Sequence, residues 1–271
     1  MNAKEAASIQ TTHYHIPGAP ALAVLADIHE KLPEALLPSL REHRPQLILI
    51  PGDFVYGSIP QYGLKMEDTP LPSFFSECCS IAPTFISLGN HEWMLHSFDL
   101  DLIRATGAVV LDNTWTSAGG VRIGGLTSAR VLEYRKDILE YTPSQLTRNP
   151  LYFRSPPKRG EKPQPETDWL RGFERQDGYK ILLCHHPEYW PLLQSCDIDL
   201  VISGHAHGGQ WRFYDPLIKR WRGVYAPGQG LFPMLTEGVT DSRLLISRGL
   251  SNTVRPIPRL FNRTELVYVN G

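Results

Sequence analysis

The 271-residue sequence predicts a layered α/β fold. Three observations carry that prediction. Strand-length apolar runs recur along the chain, helix-patterned segments lie between them, and each run passes at once into polar residues or glycine.

The apolar runs cover residues 21–26, 47–50, 84–88, 180–184 and 199–203. Several are apolar throughout, as expected of strands covered on both faces. Helical segments are expected at 33–43, 72–80, 95–106, 166–176 and 188–195. Beyond Gly204 the pattern changes to hairpin-like strands at 210–214, 243–247 and 265–269. The stretch 131–167 stands apart, being long, mixed in charge and rich in proline, and its part 156–165 reads as an exposed loop. No repeat or boundary divides the chain. One domain spanning 1–271 is expected, with a surface or cap insertion at 131–167.

Composition is that of a globular protein, with 42% hydrophobic and 20% charged residues. A formal net charge of −1 supplies no overall basic bias toward nucleic acid or anionic membrane. Residues 1–20 lack the apolar core of a secretory signal, because Glu5, Gln10, His13 and His15 interrupt them. The longest apolar runs are far short of a membrane span. A cytoplasmic protein is expected, with peripheral membrane association left open and no oligomeric state implied. Cys78, Cys79, Cys184 and Cys196 show no metal-clamp spacing and read as reduced, partly buried thiols.

The chemistry lies just past the apolar runs. Residues 21–26 are followed by Asp27-Ile28-His29, and 47–50 by Pro51-Gly52-Asp53. Residues 84–88 are followed by Gly89-Asn90-His91-Glu92, 180–184 by His185-His186-Pro187, and 199–203 by Gly204-His205-Ala206-His207. Five strand ends thus deliver Asp, His or Asn to one edge of a sheet, the edge where α/β folds bind ligands. In Asp27-x-His29 and His205-x-His207, residues two apart on an extended segment would project to one side. A glycine before Asp53, Asn90 and His205 would permit a sharp turn from strand to loop. The donors are imidazole and oxygen without thiolate, which suits Mn, Fe or Zn, and also Co or Ni, rather than a structural zinc site. Any one motif is common by chance. Five in this order, holding His29, His91, His185, His205 and His207 of the chain's ten histidines, are not explained by core packing.

These five motifs resemble those of the calcineurin-like metallophosphoesterase superfamily, over Asp27 to His207. Gly208-Gly209-Gln210, Ala226-Pro227-Gly228 and Ser247-Arg248-Gly249-Leu250 extend the likeness toward its YaeI/YkuE-like phosphodiesterase branch. The resemblance implies a four-layer αββα sandwich, two mixed β-sheets face to face and flanked by helices. It implies two divalent or trivalent metal ions, with Asp27, His29 and His207 holding one and Asn90, His185 and His205 the other. Asp53 would bridge them. Two divalent ions against two carboxylates leave the centre at about +2, suited to a phosphate ester and its transition state. The ions would lower the pKa of a bridging water for attack on phosphorus. His91 matches the position that contacts phosphate and protonates the leaving oxygen.

The implied activity is hydrolysis of P–O bonds in phosphate esters, with phosphodiesters slightly favoured over monoesters. A phosphoprotein phosphatase or nuclease using the same site, and a non-catalytic scaffold with this fold, are the alternatives. Adjacent His185 and His186 point opposite ways on an extended chain. The family pattern of His-x-Pro selects His185 and leaves His186 behind the ligands or facing solvent. Glu92 stands where many relatives carry Asp and would orient a neighbouring His.

The six tryptophans are expected mainly in the core, with Trp93 bordering the site. Lys219-Arg220-Trp221-Arg222 reads as a solvated hairpin tip. The 131–167 excursion carries aromatic and arginine side chains that suit either a cap over a phosphorylated substrate or a surface insertion. Arg248-Gly249-Leu250-Ser251-Asn252 is a further segment that approaches the site if the fold brings it there.

Overall fold

In the computed structural model, the residues described are 9–56, 65–129, 131, 164–217, 220–223, 238–240, 243–251 and 259–271. They form, in chain order, β1 (Gln10–His15), β2 (Leu22–Val24), α1 (Leu36–His43), β3 (Leu47–Ile50), α2 (Leu71–Ile81), β4 (Thr84–Ser87) and α3 (Ser97–Ala105). There follow β5 (Val109–Leu111), β6 (Thr114–Ala118), β7 (Val121–Leu126), α4 (Leu170–Glu174), β8 (Tyr179–Cys184), α5 (Trp190–Leu193) and β9 (Leu200–Ser203). The chain continues through β10 (Arg212–Asp215), β11 (Arg220–Gly223), β12 (Gly238–Thr240), β13 (Leu244–Ile246) and β14 (Glu265–Asn270).

Two six-stranded sheets result, ordered β1-β14-β2-β3-β4-β5 and β12-β13-β9-β8-β7-β6, with β10 and β11 as a separate ribbon. Both large sheets are mixed. In the first, β2, β3, β4 and β5 run parallel while β14 is antiparallel to β2. In the second, β7, β8, β9 and β13 run parallel, and β6 and β12 close the edges in antiparallel fashion.

Alternation along the strands assigns the layers. Leu22, Val24, Leu47, Leu49, Val267 and Val269 of the first sheet pack with Ile181, Leu183, Leu200, Ile202 and Leu245 of the second. Their neighbours Ala23, Ile48, Ile50 and Tyr268 face the other way, onto Leu36 and Leu40 of α1, Phe74 and Phe75 of α2, and Ile103 of α3. On the far side, Leu182, Cys184, Val201, Leu244 and Ile246 meet Leu170 and Phe173 of α4 and Trp190 and Leu193 of α5. Three apolar layers require four layers of secondary structure, the αββα sandwich that the resemblance implies.

All eight expected strands form, and the structure adds several. Strand β1 (Gln-Thr-Thr-His-Tyr-His) and strand β6 are polar edge strands whose residues are exposed or half-buried, so no apolar run marks them. The helix expected at 188–195 is reduced to a 3-10 turn at Pro187–Tyr189 and the four residues of α5. That at 166–176 shrinks to the five residues of α4. Among the tryptophans, Trp190 is buried, and Trp93, Trp115 and Trp169 pack against the cores. Trp211 departs from the expectation at 41% exposure. Arg220–Gly223 is not a hairpin tip but strand β11, in register with β10. Cys78 and Cys184 are buried, Cys79 and Cys196 half-buried, and all four are free. Most of the 131–167 excursion, and the segment 226–228, lie outside the described residues.

Candidate metal centre

The five motifs meet where the strands of both sheets end. Backbone hydrogen bonds first tie the loops together: Asp27 N–H donates to Gly52 O at 3.4 Å, His29 N–H to Asp53 O at 3.1 Å, and Gly204 N–H to His185 O at 3.1 Å. The loops after β2 and β3, and those after β8 and β9, are thus joined in pairs before any side chain contributes.

Left-handed backbone then aims the side chains. Asp27 (φ 51°), His29 (48°), Asp53 (55°), His205 (67°) and His207 (45°) all have positive φ. This conformation is uncommon outside glycine and costs of order 1 kcal/mol or more per residue. It corrects the extended geometry expected for Asp27-x-His29 and His205-x-His207. The side chains converge because the chain curls tightly at each strand end. The glycines serve partly otherwise too. Of the three preceding Asp53, Asn90 and His205, only Gly52 has positive φ. A Cβ on Gly89 would collide with Asp53 Oδ1, and one on Gly204 would lie 2.6 Å from Asp27 Oδ2, so these positions need close approach. Gly249 needs both: its φ is +78° and a Cβ would lie 2.6 Å from Asp27 Cβ.

Two carboxylates occupy the middle. Asp53 Oδ2 lies 3.0 Å from His185 Nε2 and 3.9 Å from both His29 Nε2 and His91 Nε2. Asp27 Oδ1 lies 3.5 Å from His207 Nε2, 3.8 Å from His29 Nε2 and 3.9 Å from His185 Nε2. Four rings rest against main-chain groups from behind. His29 Nδ1 donates to Val55 O (3.0 Å), His185 Nδ1 to Pro51 O (3.1 Å) and His91 Nδ1 to Tyr56 O (3.0 Å), while His207 Nδ1 lies between Ser251 O (3.3 Å) and the Arg259 guanidinium (3.0 Å). In the three that donate, a proton fixed on Nδ1 leaves the Nε2 lone pair facing the carboxylates, the usual setting of a metal-binding imidazole.

The donor set fits metal ions. Asp27, His29 and His207 each offer a ligand atom within 4.8 Å of the others, and so do Asp53, His185 and His205. His29 Nε2 and Asn90 Oδ1 are buried without a hydrogen-bond partner among the described residues. Orphaned buried acceptors of this kind are costly unless a cation completes them. Burial alone would raise both carboxyls, but the surrounding imidazoles outweigh it and hold Asp27 and Asp53 well below the usual carboxylate range. Burial, reinforced by Arg259, pushes His207 down to about 3. His185 goes the other way, because Asp53 overcomes its burial and lifts it to about 9. Metal uptake by His185 therefore releases a proton.

The structure changes the reading of Glu92. It orients no histidine. Its buried carboxylate accepts four backbone N–H groups: those of Asp53 (2.8 Å), Phe54 (2.9 Å), Val55 (3.2 Å) and Gly89 (2.6 Å). The residue before His91 along the chain, Asn90, caps the same turn, whose His91 N–H donates to Asp53 Oδ1 at 2.8 Å.

Three supporting residues carry no signal readable in the sequence. Arg259 donates to the carbonyls of Ser251 (2.6 Å) and Arg248 (2.7 Å) and reaches within 3.0 Å of His207 Nδ1. Asn262 donates to His207 O at 2.6 Å and Gln210 O at 3.1 Å. Glu188 lies 3.3 Å from His205 Nε2. None sits at a strand end or in a recurring motif. The segment from Arg248 to Ser251 does reach the site, through Gly249 and the Ser251 carbonyl. Arg248 itself forms a buried pair with Glu265 at 3.0 Å.

A buried carboxylate and imidazole cluster at the converging strand ends of an αββα sandwich defines a metallohydrolase. The chain belongs to the calcineurin-like phosphoesterase family, which it matches over residues 21–209. It is thus a metal-dependent phosphoester hydrolase. It is 27% identical to the uncharacterized protein YpbG of Bacillus subtilis (strain 168), over 89% of this chain and 77% of that one. It is 26% identical to an uncharacterized metallophosphoesterase of Campylobacter jejuni, over 90% of this chain, and spans 55% of that protein's length. Among solved structures, a dimetal phosphatase from Danio rerio is similar over 73% of this chain and 85% of its own, at 15% identity and a TM-score of 0.42.

Proposed function

We propose that the protein is a dinuclear phosphoesterase, acting on phosphodiesters in preference to monoesters. Asp27, His29 and His207 hold one ion, Asn90, His185 and His205 the other, and Asp53 bridges them. The observation that carries this reading is the pair of three-residue groups Asp27–His29–His207 and Asp53–His185–His205, each built around a buried carboxylate with its ligand atoms within 4.8 Å of one another. Mn, Fe and Zn suit the donors best, and Co and Ni also fit. Bound there, two ions supply Lewis acidity and a nucleophilic water at neutral pH.

The chain's own residues supply the rest. The carbonyl-held imidazoles keep their Nε2 atoms aimed without rearrangement, so the site is preorganised. His91 is the most open of the five carbonyl- or carboxylate-held rings, with its side chain 29% exposed against 0–14% for His29, His185, His205 and His207. It borders solvent and the carboxylates at once. In this reading it contacts the phosphate and protonates the leaving oxygen. Burial lowers its pKa against the opposing pull of Asp53.

The test is a panel assay on metal-free protein reconstituted with Mn, Zn, Fe, Co or Ni. Aryl phosphodiesters, phosphomonoesters, cyclic nucleotides and a lipid-linked pyrophosphate are compared. Hydrolysis of diesters with about two ions bound per chain is expected. No hydrolysis, together with less than one ion per chain, overturns the reading in favour of a scaffold. Within the same panel, His91→Ala should keep both ions and lose turnover by roughly 10²–10⁴-fold, most on esters with poor leaving groups. Equal losses on good and poor leaving groups would leave it a phosphate contact only.

The reading also takes residues 1–271 as one domain of a cytoplasmic protein. No helix among the described residues is long and apolar enough to cross a membrane.

A further inference from the structure

His205 is held differently from the other rings. His29, His91 and His185 each rest Nδ1 on a main-chain carbonyl and present Nε2, and His207 lays Nδ1 between the Ser251 carbonyl and Arg259. The His205 backbone N–H instead donates to both Asp27 oxygens at 3.2 Å, and its ring turns Nε2 toward Glu188 Oε1 at 3.3 Å. Its other ring nitrogen, Nδ1, is then the one left for the group formed with Asp53 and His185.

Glu188 is itself fixed. His186 Nδ1 lies 3.8 Å from the same Oε1, and His186 Nε2 lies 2.9 Å from Ser128 Oγ. Ser128 is anchored by its N–H on Leu88 O at 2.9 Å, next to the Gly89-Asn90 turn. The His186 and His205 rings sit 4.3 Å apart at 60°. His186 thus turns its ring between Ser128 and Glu188 rather than out to solvent, against the carboxylate that faces His205. Glu188 follows Pro187 in a 3-10 turn, which brings its carboxylate back over the strand end.

We propose that Glu188 is the positioning residue of the Asn90–His185–His205 metal site. Its carboxylate accepts the His205 Nε2–H, fixes the tautomer with the lone pair on Nδ1, and raises the basicity of that nitrogen, as a carboxylate behind a metal-bound imidazole does. His186 and Ser128 hold Glu188 for this task. The proposal rests on the dinuclear reading above.

The experiment titrates metal-free protein with Co²⁺, following the visible absorption bands and the ions bound per chain. In Glu188→Ala the first ion should bind as in wild type, while the second weakens by about 10–100-fold and its absorption band shifts. Glu188→Gln, whose amide oxygen still accepts from Nε2–H, should recover most of that affinity. It also serves as the test if Glu188→Ala does not fold. His186→Gln should have a smaller effect in the same direction. Equal affinity and spectra for both ions in wild type, Glu188→Ala and Glu188→Gln overturn the proposal. So does a third ion in wild type that disappears with Glu188, since Glu188 would then be a ligand. A wild-type chain taking up fewer than two ions fails the dinuclear reading instead.

Discussion

Asp53→Asn is expected to leave the protein with less than one ion per chain and to lower kcat/KM by at least about 10³-fold, or about 4 kcal/mol. Asp53 Oδ2 lies within 3.9 Å of three separate imidazoles, those of His29, His91 and His185. Asp53 also belongs to two of the groups able to hold an ion, one with His29 and His91 and one with His185 and His205, whereas Asp27 belongs to one. An amide removes one negative charge from a buried centre that would then carry about +3. It also turns an acceptor into a possible donor facing the Nε2 lone pairs. Substitution at Asp27 should remove mainly one ion, because Asp27 belongs to the His29–His207 group. Metal analysis beside steady-state kinetics separates the two. An Asp53→Asn protein that keeps both ions and stays within tenfold of wild type would show that Asp53 is not a bridge.

The residues that would hold metal were legible because each lies within a few positions of an apolar run, and a strand end is a local feature. The continuous apolar runs also foretold strands covered on both faces: Leu47 and Leu49 pack between the sheets while Ile48 and Ile50 meet the helices. The conformation of the ligand turns was not legible. Asp27, His29, Asp53, His205 and His207 all have positive φ, a conformation set by the surrounding structure that non-glycine residues do not announce in sequence. The supports were hidden for another reason. Arg259 and Asn262 reach His207 across more than fifty positions of chain, so no spacing rule connects them. Glu188 and Ser128 are nearer in motif but look like ordinary polar residues until His186 is seen between them. The polar strands β1 and β6 lack the apolar signal because their residues stay exposed or half-buried at the sheet edges formed by the described residues.

Glu92 is where sequence and structure diverge most usefully, and Glu92→Ala is expected to be the most destabilising change near the site. The side chain is 1% exposed, and its two oxygens satisfy four backbone donors from two different loops. Each buried N–H left unpaired costs about 1–3 kcal/mol, and water entering the space recovers part of it. A net loss of roughly 3–5 kcal/mol follows, equivalent to a fall in Tm of about 10 °C for a chain of this size. Glu92→Gln is nearly isosteric and should not rescue the protein. Its amide oxygen can accept from one loop, but its NH₂ group then meets the N–H donors of the other. Burial and the Asp53 charge push the Glu92 carboxyl up to about 8, against the pull of its N–H donors. Metal bound at Asp53 should remove much of that repulsion and restore the ionised form. Added Mn²⁺ should therefore raise the Tm of wild type by more than that of Glu92→Gln, in which the carboxylate is gone. Thermal denaturation of both proteins, metal-free and loaded, measures this. Equal increments in the two would mean that the Glu92 clamp and the metal centre are energetically independent, even though both act on the backbone of Asp53.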